Sequence, residues 1–196
     1  MELHEAVAWA MRGALVVLLA AACVGDTRSR RIPNWVGAAG LIAALLWHGV
    51  APAGGGLFAA DGAGGLGLAS SATGAVLVFA LFLVMYRLRV LGAGDVKLAA
   101  MLGAWFGIGA APLLVLSVFV CGGVLALARL AGGVSSRKVA SNLRLILSGQ
   151  GLDSSGGAAC GPESDAGARA RTADRMPYAW AIATGAAALA VRQYAG

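Results

Sequence analysis

The chain has 196 residues, of which 59% are hydrophobic and only 12% are charged. Soluble domains average about 25% charged residues, so the composition excludes an ordinary soluble enzyme. The net charge of +6 does not indicate nucleic acid as a partner, because the basic residues lie in short segments between apolar runs, where they orient membrane proteins. The three cysteines form no Cys-x-x-Cys pair, so there is no zinc signature, and their odd number argues against a disulfide framework. We predict no metal site and no cofactor.

The apolar runs predict an all-α polytopic membrane protein with about six transmembrane helices, because a bilayer span needs about 20 apolar residues. In chain order the predicted spans are Ala6–Gly25, Trp35–Val50, Ala69–Tyr86, Val96–Ile108, Pro112–Ala131 and Pro177–Val191. The fourth and fifth spans come from one uncharged stretch that is too long for a single crossing. We divide this stretch near Gly107, Gly109 and Pro112, because Gly and Pro are typical of turns.

The distribution of basic residues predicts which side of the membrane each loop faces. Six spans put both termini on one side, and of the 15 Lys and Arg residues only Arg12 and Arg192 lie on or near that side. Cytoplasmic loops carry the excess of Lys and Arg, so we expect both termini to lie outside the cytoplasm. The same assignment puts Asp26 and Asp95 at the cytoplasmic boundary of the membrane.

A single domain at 1–196 accounts for the whole chain, with a long cytoplasmic loop at 132–175. Apolar residues at helical spacing among basic ones predict either an interfacial amphipathic helix or a solvated loop helix at 136–148. The composition of 149–175, which is rich in Gly, Ser and Ala with scattered charge, predicts disorder.

Asp26 and Asp95 are the most informative residues of the chain, because ionisable groups at membrane depth are costly and usually mark function. Two carboxylates held close together can share one proton and activate a water molecule, which is the chemistry of aspartic proteases. Each aspartate also has a structural interpretation. Asp95 is a suitable N-cap for the fourth span, and Asp26 is compatible with an interfacial loop.

The residues that flank the aspartates suggest how a site is shaped. Gly92 and Gly94 permit unusual dihedrals and a close backbone approach, so either a substrate strand lies beside Asp95 or the segment is a plain turn. Lys97 is close enough to Asp95 to influence it, or it is a lysine whose ammonium group reaches the membrane surface.

A second short motif precedes the second predicted span. Pro33 restricts Ile32 to an extended conformation, so this dipeptide sets the entry into the span. Asn34 is predicted to cap the span through its side-chain oxygen.

Two motifs are most informative about function. The first is Asp26 followed after five residues by Ile32-Pro33-Asn34, and the second is Gly92-Ala93-Gly94-Asp95-Val96-Lys97. Together they resemble those of the type IV prepilin peptidases, which are bacterial membrane aspartic proteases of the Gly-x-Gly-Asp type. Residues 175–182 are similar to a third region shared by that family. The chain has no cysteine-rich domain like that of the larger, bifunctional members, so it is similar to the short peptidases of tight-adherence (Flp) pilus systems.

The resemblance implies removal of the leader peptide from prepilins and pseudopilins at the cytoplasmic face of the bacterial inner membrane, for pilus assembly or secretion. It implies Asp26 and Asp95 as the catalytic pair, and no N-methyltransferase activity. The residues expected to bind substrate or shape the site are Gly92, Gly94, Lys97, Ile32, Pro33 and Asn34. Membrane lipid is a further expected partner, and a homo-oligomer is compatible with the sequence.

Two alternatives stay open at this point. The first is a presenilin-like intramembrane protease, which also uses a Gly-x-Gly-Asp motif. The second is a small transporter or structural subunit without enzymatic activity, in which Asp26 and Asp95 bind ions.

Overall fold

The computed structural model describes residues 2–29, 33–59, 63–88, 91–131 and 178–195. These residues form five helices, which are α1 (Glu2–Ser29), α2 (Asn34–Val50), α3 (Leu68–Arg87), α4 (Ala93–Ala131) and α5 (Tyr178–Ala195). The prediction of an all-α chain is thus confirmed. The chain divides into two compact units, and every contact described below lies within the unit formed by residues 1–122 and 177–196. The predictions for 136–148 and 149–175 lie outside the described residues.

Within the described residues, three helical segments are long and apolar enough to cross a membrane, namely His4–Arg28, Leu68–Arg87 and Ala93–Ala128, and α2 is a shorter apolar helix. These helices also carry large apolar side chains that are more than half exposed, among them Val16, Val17, Leu46, Val76, Leu116 and Val120. Helices that are apolar on their exposed faces as well as in the core are typical of membrane spans. The chain is therefore a polytopic membrane protein.

The long helix α4 is interrupted at Gly107, whose φ of 70° and ψ of 177° are not helical. Glycine adopts a positive φ without the steric penalty that a side chain brings, so it suits this position. The predicted break between the fourth and fifth spans is found here. Pro112, which we placed at the same turn, lies inside the helix instead, so the break depends on the glycine and not on the proline.

The contacts of α5 show that α4 turns back at this break. A methyl group built on Gly122 would lie 3.0 Å from the hydroxyl oxygen of Tyr178, and Tyr178 also lies within electrostatic range of Asp95. A straight helix would separate residues 95 and 122 by about 40 Å. The parts of α4 before and after Gly107 therefore run in opposite directions.

Glycines allow α3 and α4 to pack backbone against backbone. A methyl group built on Gly74 would overlap the carbonyl oxygen of Gly103, and one built on Gly103 would overlap that of Gly74. Small residues permit this close approach between helices in a membrane. The core around this contact is built from large buried side chains, which include Phe82, Leu98, Met101, Leu102, Trp105 and Ile182.

Buried polar side chains hold the segment between α2 and α3. The backbone N–H of Leu66 donates to His48 Nδ1 at 3.2 Å, so the other ring nitrogen, Nε2, carries the proton and donates to the Trp105 carbonyl at 3.0 Å. Ser71 donates to the Ala104 carbonyl at 2.9 Å. Each of these bonds joins a helix to another part of the chain.

A charged side chain of α1 completes this region. The Nε and Nη2 atoms of Arg12 both donate to the Leu57 carbonyl, at 3.0 Å and 2.8 Å. Arg12 therefore ties the middle of α1 to the connecting segment. We call residues 51–59 and 63–67, together with Arg12, His48 and Ser71, the loop end of the molecule.

The observed helices continue beyond the predicted spans at most of their ends. The largest differences are that α1 is Glu2–Ser29 instead of Ala6–Gly25 and that α4 begins at Ala93 instead of Val96. The described part of α5 continues to Ala195 instead of ending at Val191. The apolar pattern marks only the part of a helix that faces core or lipid, whereas backbone hydrogen bonding continues into the polar residues at each end. Both aspartates consequently lie on helices.

Candidate active site

Asp26 lies in the last helical turns of α1 and is half-buried. Its Oδ2 atom accepts a hydrogen bond from the backbone N–H of Ala179 at 3.1 Å. Ala179 is the second residue of α5, and N–H groups in the first turn of a helix have no partner within that helix. The carboxylate therefore satisfies an N–H that would otherwise be unpaired. Asp26 is thus not a loop residue, contrary to its structural interpretation.

Asp95 lies in the first turn of α4 and is also half-buried. Its Oδ2 atom accepts a hydrogen bond from the backbone N–H of Gly92 at 3.1 Å, and its own N–H donates to the Gly92 carbonyl, also at 3.1 Å. The third residue of a helix often reaches back in this way to the residue before the helix. The interpretation of Asp95 as a cap is therefore partly correct, although the carboxylate acts from the third helical position and not from the N-cap.

The structure brings the two carboxylates together. Asp26 and Asp95 lie within electrostatic range of each other, although they come from α1 and α4. Among the described residues, each carboxylate accepts one hydrogen bond, from a backbone N–H, whereas an ionised carboxylate has about four acceptor sites. Within the described part of the chain, the pair therefore has acceptor sites that no hydrogen bond occupies. We call the last helical turns of α1 and the first turns of α2, α4 and α5 the aspartate end.

The glycines of the motif act differently from the prediction. Neither Gly92 nor Gly94 has a positive φ, which in the described part of the chain occurs only at Gly56, Gly67 and Gly107. The expectation of unusual dihedrals is therefore wrong for the φ angle at both positions. Gly92 matters because it lacks a side chain, since a methyl group built there would lie 3.2 Å from Asp95 Oδ2. Gly94 lies within the first turn of α4.

Lys97 links the two sequence motifs through a hydrogen bond. Its Nζ atom donates to Asn34 Oδ1 at 2.9 Å. The N-cap of α2 is Pro33, which has an extended backbone (φ −60°, ψ 131°), and the cap has no side-chain hydrogen bond. The predicted capping role of Asn34 is therefore wrong, because the helix begins at Asn34 itself and its side-chain oxygen binds Lys97. Ile32 lies outside the described residues.

The start of α5 is the part of this site that the sequence analysis missed. Besides the N–H that binds the first carboxylate, it contributes Tyr178, which lies within electrostatic range of Asp95. The indole N–H of Trp180 donates to Thr27 Oγ1 at 3.0 Å, between residues 153 positions apart in sequence. Residues 175–182 entered the sequence analysis only through a resemblance, without an assigned role. No local pattern could have revealed contacts at such a separation.

Two interacting carboxylates can do acid–base chemistry that neither does alone. Like charges disfavour each other, so two carboxylates that interact favour a state in which one is ionised and the other is protonated. In that state the ionised carboxylate can take a proton from water, and the protonated one can donate a hydrogen bond to a carbonyl oxygen. This combination suits the hydrolysis of a peptide bond.

Comparison with known proteins identifies one family. The family model of the type IV leader peptidase family matches residues 13–127, a range that includes both aspartates and ends before α5. No curated protein and no solved structure matches the chain.

Proposed function

Because the chain belongs to the type IV leader peptidase family, we propose that this membrane peptidase is an aspartic endopeptidase that removes the leader peptide from tight-adherence (Flp-type) prepilins. Asp26 and Asp95 form the catalytic pair in this proposal. Membership of a peptidase family favours it over a transporter or structural subunit, and the leader peptidase family favours it over a presenilin-like enzyme. The residues proposed to shape the site are Gly92, Gly94, Lys97, Ile32, Pro33 and Asn34.

One observation carries the proposal, namely that Asp26 and Asp95 meet at one end of the helices while each is held by a backbone N–H. A carboxylate that only caps a helix has no need of a second carboxylate within range. Bringing two acidic groups together is electrostatically unfavourable unless they share a proton, which is the arrangement that water activation uses.

The proposed mechanism is the attack of water on the scissile peptide bond. The ionised aspartate takes a proton from water as the water oxygen bonds to the carbonyl carbon, and the protonated aspartate polarises the carbonyl oxygen. When the tetrahedral intermediate collapses, the C–N bond breaks and a proton from the pair passes to the leaving amine. The pair returns to its singly protonated state, so no cofactor is consumed.

The membrane arrangement in this proposal follows from charge. The six spans are α1, α2, α3, the two parts of α4, and α5, with both termini outside the cytoplasm. The aspartate end then faces the cytoplasm, because nearly all Lys and Arg residues of the sequence fall on that side. A prepilin with a basic leader in the cytoplasm and an apolar helix in the membrane presents its cleavage site at this boundary. Pseudopilins share this geometry, and the pilus or secretion role rests on the same substrate class.

The test is a co-expression assay of prepilin processing in the bacterial inner membrane. A tight-adherence prepilin is expressed with the wild-type protein, with Asp26→Asn or with Asp95→Asn, and its size is read by immunoblot. Asn keeps the size and hydrogen bonding of Asp but cannot be ionised, so we expect both variants to lose cleavage by at least about a hundredfold. The mass of the mature pilin gives the cleavage site, and we expect an N-terminus without a methyl group.

The matched control is Glu5→Gln, which removes a carboxylate from the same helix as Asp26 but at its opposite end. This variant should process the prepilin like the wild type. Equal amounts of each variant in the membrane fraction exclude a folding defect as the cause. Full cleavage by either aspartate variant would remove that residue from the mechanism. A well-folded wild type that cleaves no tight-adherence prepilin or pseudopilin would contradict the proposed substrate class.

A further inference from the structure

Tyr178 lies beside both carboxylates. It is the first residue of α5 and is half-buried. The next residue, Ala179, donates its N–H to Asp26, and the phenol of Tyr178 lies within electrostatic range of Asp95. Tyr178 therefore lies next in sequence to the residue that binds Asp26 and within electrostatic range of Asp95.

A glycine of α4 leaves room for the phenol of Tyr178. A methyl group built on Gly122 would lie 3.0 Å from the hydroxyl oxygen and 3.3 Å from Cζ of Tyr178. Any side chain at position 122 would therefore make a close contact with the ring. The hydroxyl group makes no hydrogen bond with any residue that the structure describes, and a phenol O–H can donate one hydrogen bond.

Two hydrogen bonds join the start of α5, which carries Tyr178, to α1, one from the Ala179 N–H to Asp26 and one from the Trp180 indole to Thr27. The indole N–H of Trp180 donates to Thr27 Oγ1 at 3.0 Å, and Thr27 Oγ1 donates to the Cys23 carbonyl at 2.7 Å. These bonds hold the start of α5 against the end of α1. The phenol is thus held at a defined place, which is the requirement for a donor that acts on developing charge.

We infer that the Tyr178 hydroxyl is a third polar group of the site, which donates a hydrogen bond to the carbonyl oxygen of the scissile peptide as water attacks. This inference rests on the proposed function. The hydroxyl keeps its proton throughout, while the aspartate pair carries out the proton transfers. The hydrogen bond strengthens as negative charge builds on the carbonyl oxygen, so it stabilises the transition state more than the bound substrate.

The test is Tyr178→Phe, which removes the hydroxyl and keeps the ring. The purified full-length protein is reconstituted in liposomes with a tight-adherence prepilin, and cleavage is measured at several prepilin concentrations. The lost hydroxyl donates a hydrogen bond to the negative charge that develops on the carbonyl oxygen. Its removal should therefore lower kcat by about tenfold or more, while KM changes by less than about threefold. The control is Tyr194→Phe, at the other end of α5, which should behave like the wild type.

A second variant separates a chemical role from a packing role. Gly122→Ala should displace the phenol by a few tenths of an ångström and lower kcat when Tyr178 is present. In the Tyr178→Phe background the same change should have a much smaller effect, because the hydroxyl it displaces is already absent. Equal effects of Gly122→Ala in both backgrounds, or an unchanged kcat in Tyr178→Phe, would overturn the inference.

The outcome is distinguishable from a failure of the proposed function. If the wild type and Tyr178→Phe cleave equally and Asp26→Asn does not cleave, the proposed function stands and the role of Tyr178 is wrong. If the wild type does not cleave, the proposed function itself fails. Thermal unfolding in detergent shows whether each variant is folded, and a Tyr178→Phe protein that has lost its unfolding transition would show that the hydroxyl serves packing, which overturns the inference.

Discussion

The aspartate end and the loop end use polar side chains in opposite ways. At the loop end, Arg12, His48 and Ser71 donate hydrogen bonds to backbone carbonyls of other parts of the chain. At the aspartate end, Asp26 and Asp95 accept hydrogen bonds from backbone N–H groups at the starts of helices. The donors of the loop end join one part of the fold to another. The carboxylates, in contrast, have acceptor sites that no described residue occupies.

This difference separates stability from activity within a single unit. A buried polar group that is fully paired contributes to folding mainly because breaking the pair leaves a partner unsatisfied. A carboxylate with spare acceptor sites can bind water or substrate. Substitutions at the loop end should therefore change the amount of folded protein, and substitutions at the aspartate end should change the activity of each folded molecule. Three variants test this division.

The largest effect on stability is expected for His48→Leu. The change leaves the Leu66 N–H and the Trp105 carbonyl without their partner, so we expect a loss of roughly 2–4 kcal/mol in the free energy of unfolding. Thermal unfolding in detergent measures this loss. His48→Gln, which keeps a donor and an acceptor, should recover part of it. A His48→Leu protein that unfolds like the wild type but cleaves poorly would break the division between the two ends.

A smaller loss is expected for Gly74→Ala, which places a methyl group against the backbone of Gly103. Overpacking of this kind costs about 1–3 kcal/mol, because α3 and α4 must move apart. The matched control is Gly109→Ala, where an added methyl group meets nothing within 4 Å. Membrane abundance and unfolding in detergent should separate the two variants. Equal stability of both would contradict the close backbone contact between α3 and α4.

The smallest effect is expected for Lys97→Met, which removes an exposed hydrogen bond at the aspartate end. The bond to Asn34 should be worth less than about 1 kcal/mol, because both groups can bind water when it is broken. Asn34→Ala should cost as little, and the double variant should cost no more than either single one. Lys97→Met should lower processing of the prepilin per folded molecule, as expected for the aspartate end, and processing like that of the wild type would remove Lys97 from the residues proposed to shape the site.

Sequence reasoning recovered the parts of the fold that depend on local pattern. The all-α class follows from the apolar runs. The break in α4 is predicted near Gly107, because the charge-free stretch is too long for one membrane crossing and Gly is typical of turns. Helix ends were less accurate, since α1 continues to Ser29 through polar residues that hydropathy excludes. Asn34 was assigned the role of a cap because its local sequence favours one, but a side chain 63 positions away binds its oxygen instead.

The candidate site also has a part that the sequence predicts and a part that it does not. Asp26 and Asp95 stood out in the sequence because charge is costly in an apolar chain. Their proximity could not be deduced, since it depends on how the tertiary fold positions α1 and α4. The backbone N–H that holds Asp26 and the phenol beside Asp95 come from a helix whose pattern is that of an ordinary apolar span. Such contacts are decided by tertiary packing alone.

The hydrogen bond from Ala179 to Asp26 crosses 153 positions of sequence, which has a consequence for the order of events during synthesis. α1 leaves the ribosome well before α5 does. Until α5 is inserted, the carboxylate of Asp26 lacks the amide N–H that binds it. Newly made chains therefore enter the membrane before the contacts between α1 and α5 at the aspartate end can form.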